Sequence, residues 1–345
     1  MSTTTANLTD LLDVHAAALV AEGHAPGVVA VAVNGRDQVL ACYGHPSRDV
    51  QPLDGQTLFE IGSLTKTFTG LLLAQMVKSA QVRYDDPIIA YLPAHAAPQR
   101  PEAGQITLLQ LATHTAGLPR LPPNLNWQNA PSDPYSDYHL GDLYHATANL
   151  DLCPVPAATV SYSTFGVGLL AQLLVNAANR PYGQLLAERI CRPLGLTATT
   201  TQPSADDTAR LATGHECGMP VAPWRFDALV GSGGLHTTGK DLMAYLQAHL
   251  HPESSPLAEA LAATHAPRCP NGKNAICLIW NHRIIDERAL LWHTGGTGGF
   301  SAFMGFSPDT VGGVGLLTNT KTTSDQAVLR AGRRLFKRAV FPHDC

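Results

Sequence analysis

The chain has 345 residues, of which 45% are hydrophobic and 14% charged, enough apolar material for one large domain or two lobes. Its formal net charge is −4 and its isoelectric point is near 6.4. This balance argues against a nucleic acid or an anionic membrane as partner. The one basic cluster falls on a C-terminal helical pattern, and we interpret it as a solvated helix face; it comprises Arg333, Arg334, Lys337 and Arg338.

The N-terminal segment has no positively charged stretch, and Asp10 and Asp13 interrupt its apolar residues. We therefore expect no signal peptide and a cytoplasmic location, although a periplasmic or secreted protein whose leader had been removed would have the same pattern. No apolar run approaches the roughly 18 residues that a membrane span needs, so no membrane association is expected.

The first elements in chain order are a helix, a hairpin and a second helix. Residues 8–22 have helical spacing of apolar side chains, and residues 27–33 form a β-branched apolar run. The Asn34-Gly35 turn is followed by residues 38–43, which predict a returning strand. A long helix is expected over residues 63–82.

The remaining chain divides into a proline-rich middle and a strand-rich end. The middle, to about residue 224, predicts loops and short helices, with one clear helix at 182–190. After it we expect helices at 237–250 and 324–340 and strands at 275–280, 289–292, 300–306 and 312–318. The pattern predicts an α+β fold, in which an antiparallel sheet is flanked by helices. Residues 1–72 and 225–345 would form a discontinuous α/β sheet domain and residues 73–224 a mostly helical inserted lobe, with the active site between them.

Neither the cysteines nor the histidines predict a metal site. The seven cysteines are odd in number and show no C-x-x-C spacing, so free or buried thiols are favoured over a disulfide framework. A Cys269–Cys277 bridge across a loop is the alternative. The fifteen histidines include no H-x-x-x-H or H-E-x-x-H pattern, so we expect no metal.

The most informative motif is Ser63-Leu64-Thr65-Lys66, at the start of the second helix. Residues three apart on a helix lie on the same face, so the Lys66 amine can reach the Ser63 hydroxyl. A partly neutral lysine beside a serine forms a nucleophile with its base. Such a pattern also arises by chance, so the interpretation depends on further motifs.

Two later segments supply candidate partners for Ser63. Tyr162 lies in a small polar loop before an apolar helix, and a phenol whose pKa is lowered by nearby cations can relay protons. The stretch from His293 to Phe300 is rich in glycine, which lets a backbone N–H approach a developing oxyanion. Taken alone, the first could be a packing residue and the second a turn.

Two other patterns do not support a function. Residues 234–240 fit G-x-x-x-x-G-K, but Asp241 stands where a phosphate-binding loop needs serine or threonine. No serine lies in a G-x-S-x-G elbow, so an α/β-hydrolase triad has no support.

Taken together, the motifs resemble those of the serine penicillin-recognising group, which includes class C β-lactamases, DD-carboxypeptidases, related esterases and D-aminopeptidases. The S-x-x-K motif is followed in order by Tyr162-Ser163-Thr164 and by His293-Thr294-Gly295. Further similar phrases lie at residues 111–119, 192–196 and 231–235, and the resemblance covers roughly residues 25–340.

The resemblance implies a class C β-lactamase/DD-peptidase-like fold and an acyl-enzyme mechanism without a cofactor. Ser63 would be acylated, Lys66 would assist its deprotonation, and Tyr162 would act as general base and as acid toward the leaving group. The backbone N–H groups of Ser63 and Gly296 would form the oxyanion hole. His293 would be a fourth catalytic residue, at the position of the family's K-T-G lysine, and Thr164, Thr294 and Gly295 would join Gly296 in binding the oxyanion or the substrate.

Two departures from the family pattern bear on the substrate. Thr164 replaces an asparagine whose amide contacts the substrate, and His293 replaces a lysine. Histidine has an ordinary pKa of about 6.5, so a fixed cation is lost if His293 is neutral. If it is instead protonated and binds a substrate carboxylate, kcat/KM for anionic substrates should fall as the pH rises through about 6 to 7.

Three functional hypotheses result. The first is a serine hydrolase of the class C β-lactamase type, acting on a small-molecule ester, amide or D-amino-acid peptide as esterase, amidase or peptidase, with weak β-lactamase activity. The second is a biosynthetic transacylase or peptide cyclase that uses the same nucleophile. The third is a non-catalytic acyl-binding sensor module. The sequence does not determine the oligomeric state.

Overall fold

An eight-stranded antiparallel sheet forms the centre of the structure, a computed structural model that describes residues 3–46, 52–126, 128, 130–151, 159–321 and 327–341. In chain order the strands are β1 (Gly27–Asn34), β2 (Asp37–Gly44), β3 (Leu58–Glu60), β4 (Gly214–Glu216), β5 (Met219–Val221), β6 (His236–Thr238), β7 (Cys269–Asn271), β8 (Asn274–Ile276), β9 (Asn281–Ile285), β10 (Arg288–Gly296), β11 (Ser301–Ser307) and β12 (Gly312–Thr318). The order across the sheet is β2-β1-β12-β11-β10-β9-β8-β7, while β3 pairs with β6 and β4 with β5.

Helices cover both faces of this sheet. They are α1 (Thr3–Ala21), α2 (Thr65–Lys78), α3 (Leu108–Ala112), α4 (Leu140–Ala148), α5 (Thr164–Ala178), α6 (Tyr182–Leu186), α7 (Arg192–Leu194), α8 (Ala205–Thr208), α9 (Val230–Gly233), α10 (Gly239–Leu250), α11 (Ala258–His265) and α12 (Ala327–Val340). Helices α1 and α12 pack on one face, and α10 packs on the other. The expected α+β architecture, an antiparallel sheet flanked by helices, is confirmed.

The burial of both faces of strand β1 explains why its sequence is continuously apolar. Val29 and Val31 belong to the core shared with α10, whereas Val28 and Ala30 belong to the core under α1 and α12. Successive side chains of a strand point to opposite faces. Because both faces are covered, each residue of the run must be apolar.

Asn319 ties the N-terminal strand to the segment after β12. It is fully buried, and its Oδ1 accepts a hydrogen bond from the N–H of Gly27 at 2.7 Å. Its Nδ2 donates to the carbonyl oxygens of Pro46 and Thr213, both at 3.0 Å. A single side chain thereby holds three distant segments together.

Asp241, the residue that argued against a phosphate-binding loop, has a structural role. Its carboxylate accepts N–H bonds from Ala198 at 2.8 Å and Thr199 at 2.7 Å, and one from Thr197 at 3.2 Å. Its own N–H donates to Thr238 Oγ1 at 3.2 Å, which caps the start of α10.

Some boundaries differ from the sequence predictions because of local backbone geometry. The helix expected to reach residue 82 ends at Lys78, because the chain turns at Ala80 with φ of 55°. The strand expected over 275–280 ends at Ile276, because Ile279 has φ of 71°. The helix expected from residue 237 begins at Gly239, since His236–Thr238 is strand β6.

Other differences concern elements that the sequence pattern does not predict. The helix expected over 182–190 changes after Leu186 into a wider π-helical turn, Ala187–Cys191. Strands β3, β4, β5, β6, β7 and β9 were not predicted. The final helix begins at Ala327, and residues 324–326 of its expected range lie outside the described residues.

Five cysteines lie within the described residues, and all five are free: Cys42, Cys191, Cys217, Cys269 and Cys277. The alternative of a Cys269–Cys277 bridge is therefore wrong. Among the described residues, none of the helices combines the length and apolar character that crossing a bilayer requires.

Candidate active site

Ser63 lies in a short 3₁₀ turn, Gly62–Leu64, between β3 and α2. Gly62 adopts φ of +47°, and an added Cβ there would lie 2.6 Å from the backbone nitrogen of Gly296. Only a glycine permits this approach. The turn therefore holds the serine against the end of strand β10.

Lys66 directs its amine at Ser63 from the first turn of α2. Its side chain is fully buried, and Nζ lies 3.0 Å from Ser63 Oγ and 2.5 Å from the carbonyl oxygen of Ser232. Burial, helped by the charge of Arg120, holds the pKa of Lys66 well below its ordinary value. A neutral amine can donate one N–H to Ser232 and still accept the Ser63 proton.

Tyr162 is held in a loop that is tied to residues 114–120. The N–H of Ser161 donates to the His114 carbonyl at 2.8 Å, and the Ser163 hydroxyl donates to the Pro119 carbonyl at 2.6 Å. The Ser163 oxygen also accepts from the N–H of Gly166 at 2.8 Å, capping α5. These bonds fix the phenol beside the Ser63–Lys66 pair, with the Tyr162 ring centroid 5.2 Å from Lys66 Nζ.

The protonation of Tyr162 differs from the sequence expectation. Burial raises its pKa to about 12, outweighing the lowering effects of its hydrogen bond with Ser63 and of Arg120. The phenol is therefore protonated at neutral pH. The expected lowering of its pKa by nearby cations does not prevail, which favours Lys66 as the resting base and Tyr162 as the proton donor.

His293 lies on β10, facing the same centre. It is 3% exposed, and its Nδ1–H donates to the Thr294 carbonyl at 2.8 Å. Burial and the charge of Lys66 lower its pKa to about 3. His293 is therefore a neutral imidazole at working pH, and the proposed fall in kcat/KM near pH 6 to 7 loses its basis.

Residues 293–296 bring the glycine-rich motif onto the Ser63 turn. An added Cβ at Gly295 would lie only 1.9 Å from the Ile61 carbonyl oxygen. Gly296 is the last residue of β10, opposite Ser301, and Thr294 is opposite Phe303 in the same register. Thr164 is the first residue of α5 and is buried, with its N–H donating to the Arg120 carbonyl at 2.8 Å.

His114, Arg120 and Ser232 surround these residues and were not predicted as members of the site. The His114 ring centroid lies 4.7 Å from that of Tyr162, and its Nδ1 accepts from the N–H of Ser163 at 3.2 Å. Burial and the charge of Lys66 lower the pKa of His114 to about 3. Residues 111–119 resemble a phrase of the family, but no feature of that phrase predicts that His114 lies beside Tyr162.

The assembled side chains can transfer an acyl group and show no arrangement for metal chemistry. Among the described residues, no three His, Cys, Asp or Glu side chains are grouped as metal ligands. What is assembled is a hydroxyl, a buried amine, a protonated phenol and closely approaching backbone. This is the set that serine acyl transfer requires.

Comparison with known proteins identifies the family. The sequence model of the family Beta-lactamase matches residues 12–337. The chain is 30% identical over 333 residues to the D-alanyl-D-alanine-carboxypeptidase/endopeptidase AmpH of Escherichia coli (strain K12), covering 91% of this chain and 85% of that protein. It is 27% identical over 340 residues to a beta-lactamase of Pseudomonas fluorescens, covering 88% and 90% of the two chains.

A solved structure supports the fold. The class C beta lactamase from Rhodobacter sphaeroides superposes with a TM-score of 0.82 at 24% identity, covering 95% of this chain and 97% of that one. The expected class C β-lactamase-like fold is thus confirmed. With the family match over nearly the whole chain, the conclusion is that this chain belongs to the beta-lactamase family of serine hydrolases.

Proposed function

We propose that the protein is an acyl-enzyme hydrolase of amides and esters, with peptides ending in D-alanine as its first candidate substrates. The observation that carries the proposal is the 3.0 Å contact between Ser63 Oγ and the fully buried amine of Lys66. The name of the Escherichia coli relative, a D-alanyl-D-alanine-carboxypeptidase/endopeptidase, supports the choice of peptide.

In the first half-reaction, Ser63 Oγ attacks the substrate carbonyl carbon and its proton passes to Lys66 Nζ. The carbonyl oxygen becomes an oxyanion, which the backbone N–H groups of Ser63 and Gly296 stabilise. When the intermediate collapses, the bond to the leaving nitrogen or oxygen breaks. Tyr162 gives that atom a proton, and the Lys66 ammonium restores the proton of the phenol.

The second half-reaction follows the same path in reverse, with water as nucleophile. Water attacks the acyl carbon, its proton passes through Tyr162 and Lys66, and Ser63 leaves with a proton. Tyr162, whose pKa burial raises to about 12, is well suited to the donor role at neutral pH.

Two features argue that β-lactam turnover is weak. Thr164 supplies no side-chain amide for the acylamino group of a β-lactam, and it is buried at the start of α5. His293 carries no charge at neutral pH, since burial and Lys66 lower its pKa to about 3. Both features favour an amidase, peptidase or esterase.

The test is intact-protein mass spectrometry and turnover with a panel of p-nitrophenyl esters, nitrocefin, a penicillin and D-alanyl-D-alanine peptides. A covalent adduct or turnover is expected in the wild type and should be absent in Ser63→Ala. The matched control is Ser79→Ala, at the opposite end of α2, where the hydroxyl donates only to the Met76 carbonyl. Full activity in Ser63→Ala would refute the proposal.

A further inference from the structure

The site has lost its family cation at His293. The family motif that this segment resembles has a lysine at this position. In this chain the residue is a buried histidine, and burial lowers its pKa to about 3. Burial also holds the pKa of Lys66 well below its ordinary value, and its buried amine already contacts Ser63 Oγ at 3.0 Å and the Ser232 carbonyl oxygen at 2.5 Å. A substrate with a negative charge would therefore need its positive partner elsewhere.

Arg120 provides an accessible positive charge beside the reacting groups. Arg120 is exposed, and its guanidinium carbon lies 5.3 Å from the centroid of the Tyr162 ring. Its carbonyl oxygen accepts hydrogen bonds from Thr164 at 2.8 Å and Phe165 at 3.3 Å, so its backbone is fixed to the start of α5. Its charge contributes to lowering the pKa of both Lys66 and Tyr162, as its short distance from the Tyr162 ring predicts.

Within the described part of the chain, no carboxylate pairs with Arg120. Asp133, an acid on a neighbouring loop, instead accepts from the Arg225 side chain at 2.8 Å and from its N–H at 2.9 Å. Glu60 is buried and accepts from the N–H of Trp224 at 2.8 Å, and burial raises its pKa to about 7. The guanidinium is thus free to bind an anion from solution.

On the basis of the proposed acyl transfer, we propose that Arg120 is a specificity-determining residue that binds the carboxylate of the substrate's leaving group. Tyr162 protonates the leaving atom, so an anion held by a guanidinium 5.3 Å from the centroid of the Tyr162 ring lies close to that atom. A leaving amino acid with a free carboxylate meets this geometry, and a guanidinium binds a carboxylate through two parallel hydrogen bonds. The preferred substrates are therefore peptides with a free C-terminal carboxylate.

The test compares two substrates that differ only in this charge. One is an N-acylated peptide ending in D-alanyl-D-alanine, and the other is the same peptide with a C-terminal carboxamide. We expect wild-type kcat/KM to favour the acid by about tenfold or more, and Arg120→Gln to abolish most of this preference. Arg120→Lys should retain part of it, because it keeps the charge but loses the bidentate geometry.

The matched control is Arg36→Gln, which makes the same change in net charge at the exposed β1–β2 turn. It should leave the acid-to-amide ratio unchanged. The proposal would be overturned if Arg120→Gln lowered kcat/KM equally for both peptides and also shifted the pH profile for an uncharged ester. Arg120 would then act only on Lys66 and Tyr162.

A binding experiment separates this proposal from the hydrolase proposal. If the wild type cleaves neither peptide and forms no adduct, the acyl-transfer proposal fails. Calorimetry with Ser63→Ala protein then makes the same comparison: tighter binding of the acid than of the amide, lost on adding Arg120→Gln, supports the anion site. Equal binding of the two peptides refutes it.

Discussion

Replacing Gly295 by alanine tests whether the approach of β10 to the Ser63 turn is needed for catalysis. The new Cβ would lie 1.9 Å from the Ile61 carbonyl oxygen and 3.0 Å from the Leu64 nitrogen. Both obstacles are backbone atoms and cannot rotate away. An ordinary carbon–oxygen contact needs about 3.3 Å, so the two segments must separate by about 1.4 Å.

A displacement of this size should lower acylation about 100-fold, because the N–H of Gly296 moves with β10 away from the developing oxyanion. The assay is kcat/KM for a p-nitrophenyl ester, together with the rate at which the acyl adduct accumulates by mass spectrometry. Thermal unfolding of each variant reports whether the protein remains folded.

The control is Gly141→Ala on α4, where an added Cβ meets no atom within 4 Å. Alanine there should stabilise the helix by about 0.5–1 kcal/mol and leave activity unchanged. If folded Gly295→Ala kept kcat/KM within about threefold of wild type, the proposed oxyanion geometry would be wrong.

Buried polar groups give four further predictions. Lys66→Met should lower kcat/KM by about 100-fold or more. With a buried amine as base and the Tyr162 pKa near 12, wild-type kcat/KM for an uncharged ester should not decline between about pH 8 and 10; a decline centred near 10, the ordinary tyrosine value, would contradict this. Asp241→Asn should lower the free energy of unfolding, measured with urea, by about 2–4 kcal/mol, because the carboxylate accepts three backbone N–H bonds. An unchanged urea midpoint would count against its anchoring role. His265 and His249 are hydrogen-bonded to each other at 2.8 Å, and burial lowers the pKa of both, that of His265 to about 4. Both bind protons more readily when unfolded, so their contribution to stability is complete above about pH 6.5 and is lost as the pH decreases, by about 2 kcal/mol at pH 5 for His265 alone. Equal urea midpoints at pH 7.5 and 5 would disprove this contribution.

Local patterns were sufficient for the elements that carry the nucleophile. The spacing of Ser63 and Lys66 predicted their contact, because a helix always brings residues three apart onto one face. The continuous apolar run of β1 similarly predicted a buried strand. Both predictions depend only on neighbours in sequence.

The chemical state of the site could not be read in this way. The burial of Lys66 depends on Ser232, which is 166 positions away in sequence. Burial from packing around Tyr162 raised a pKa that nearby cations were expected to lower. Arg120 belongs to no catalytic motif, and only the fold brings its guanidinium over the tyrosine ring.

Because β1 pairs with β12, the N-terminal strand is synthesised long before its partner strand is available. The Gly27–Asn319 hydrogen bond closes a loop of 292 positions, and β1 lies between β2 and β12 in the finished sheet. At about 5–20 residues per second, the ribosome needs roughly 15 to 60 s to supply the missing partner. During that interval the β1–β2 hairpin has an unpaired apolar edge, the kind of surface on which nascent chains aggregate. Yield of folded enzyme should therefore respond to chaperone supply and translation rate more than to changes near Ser63.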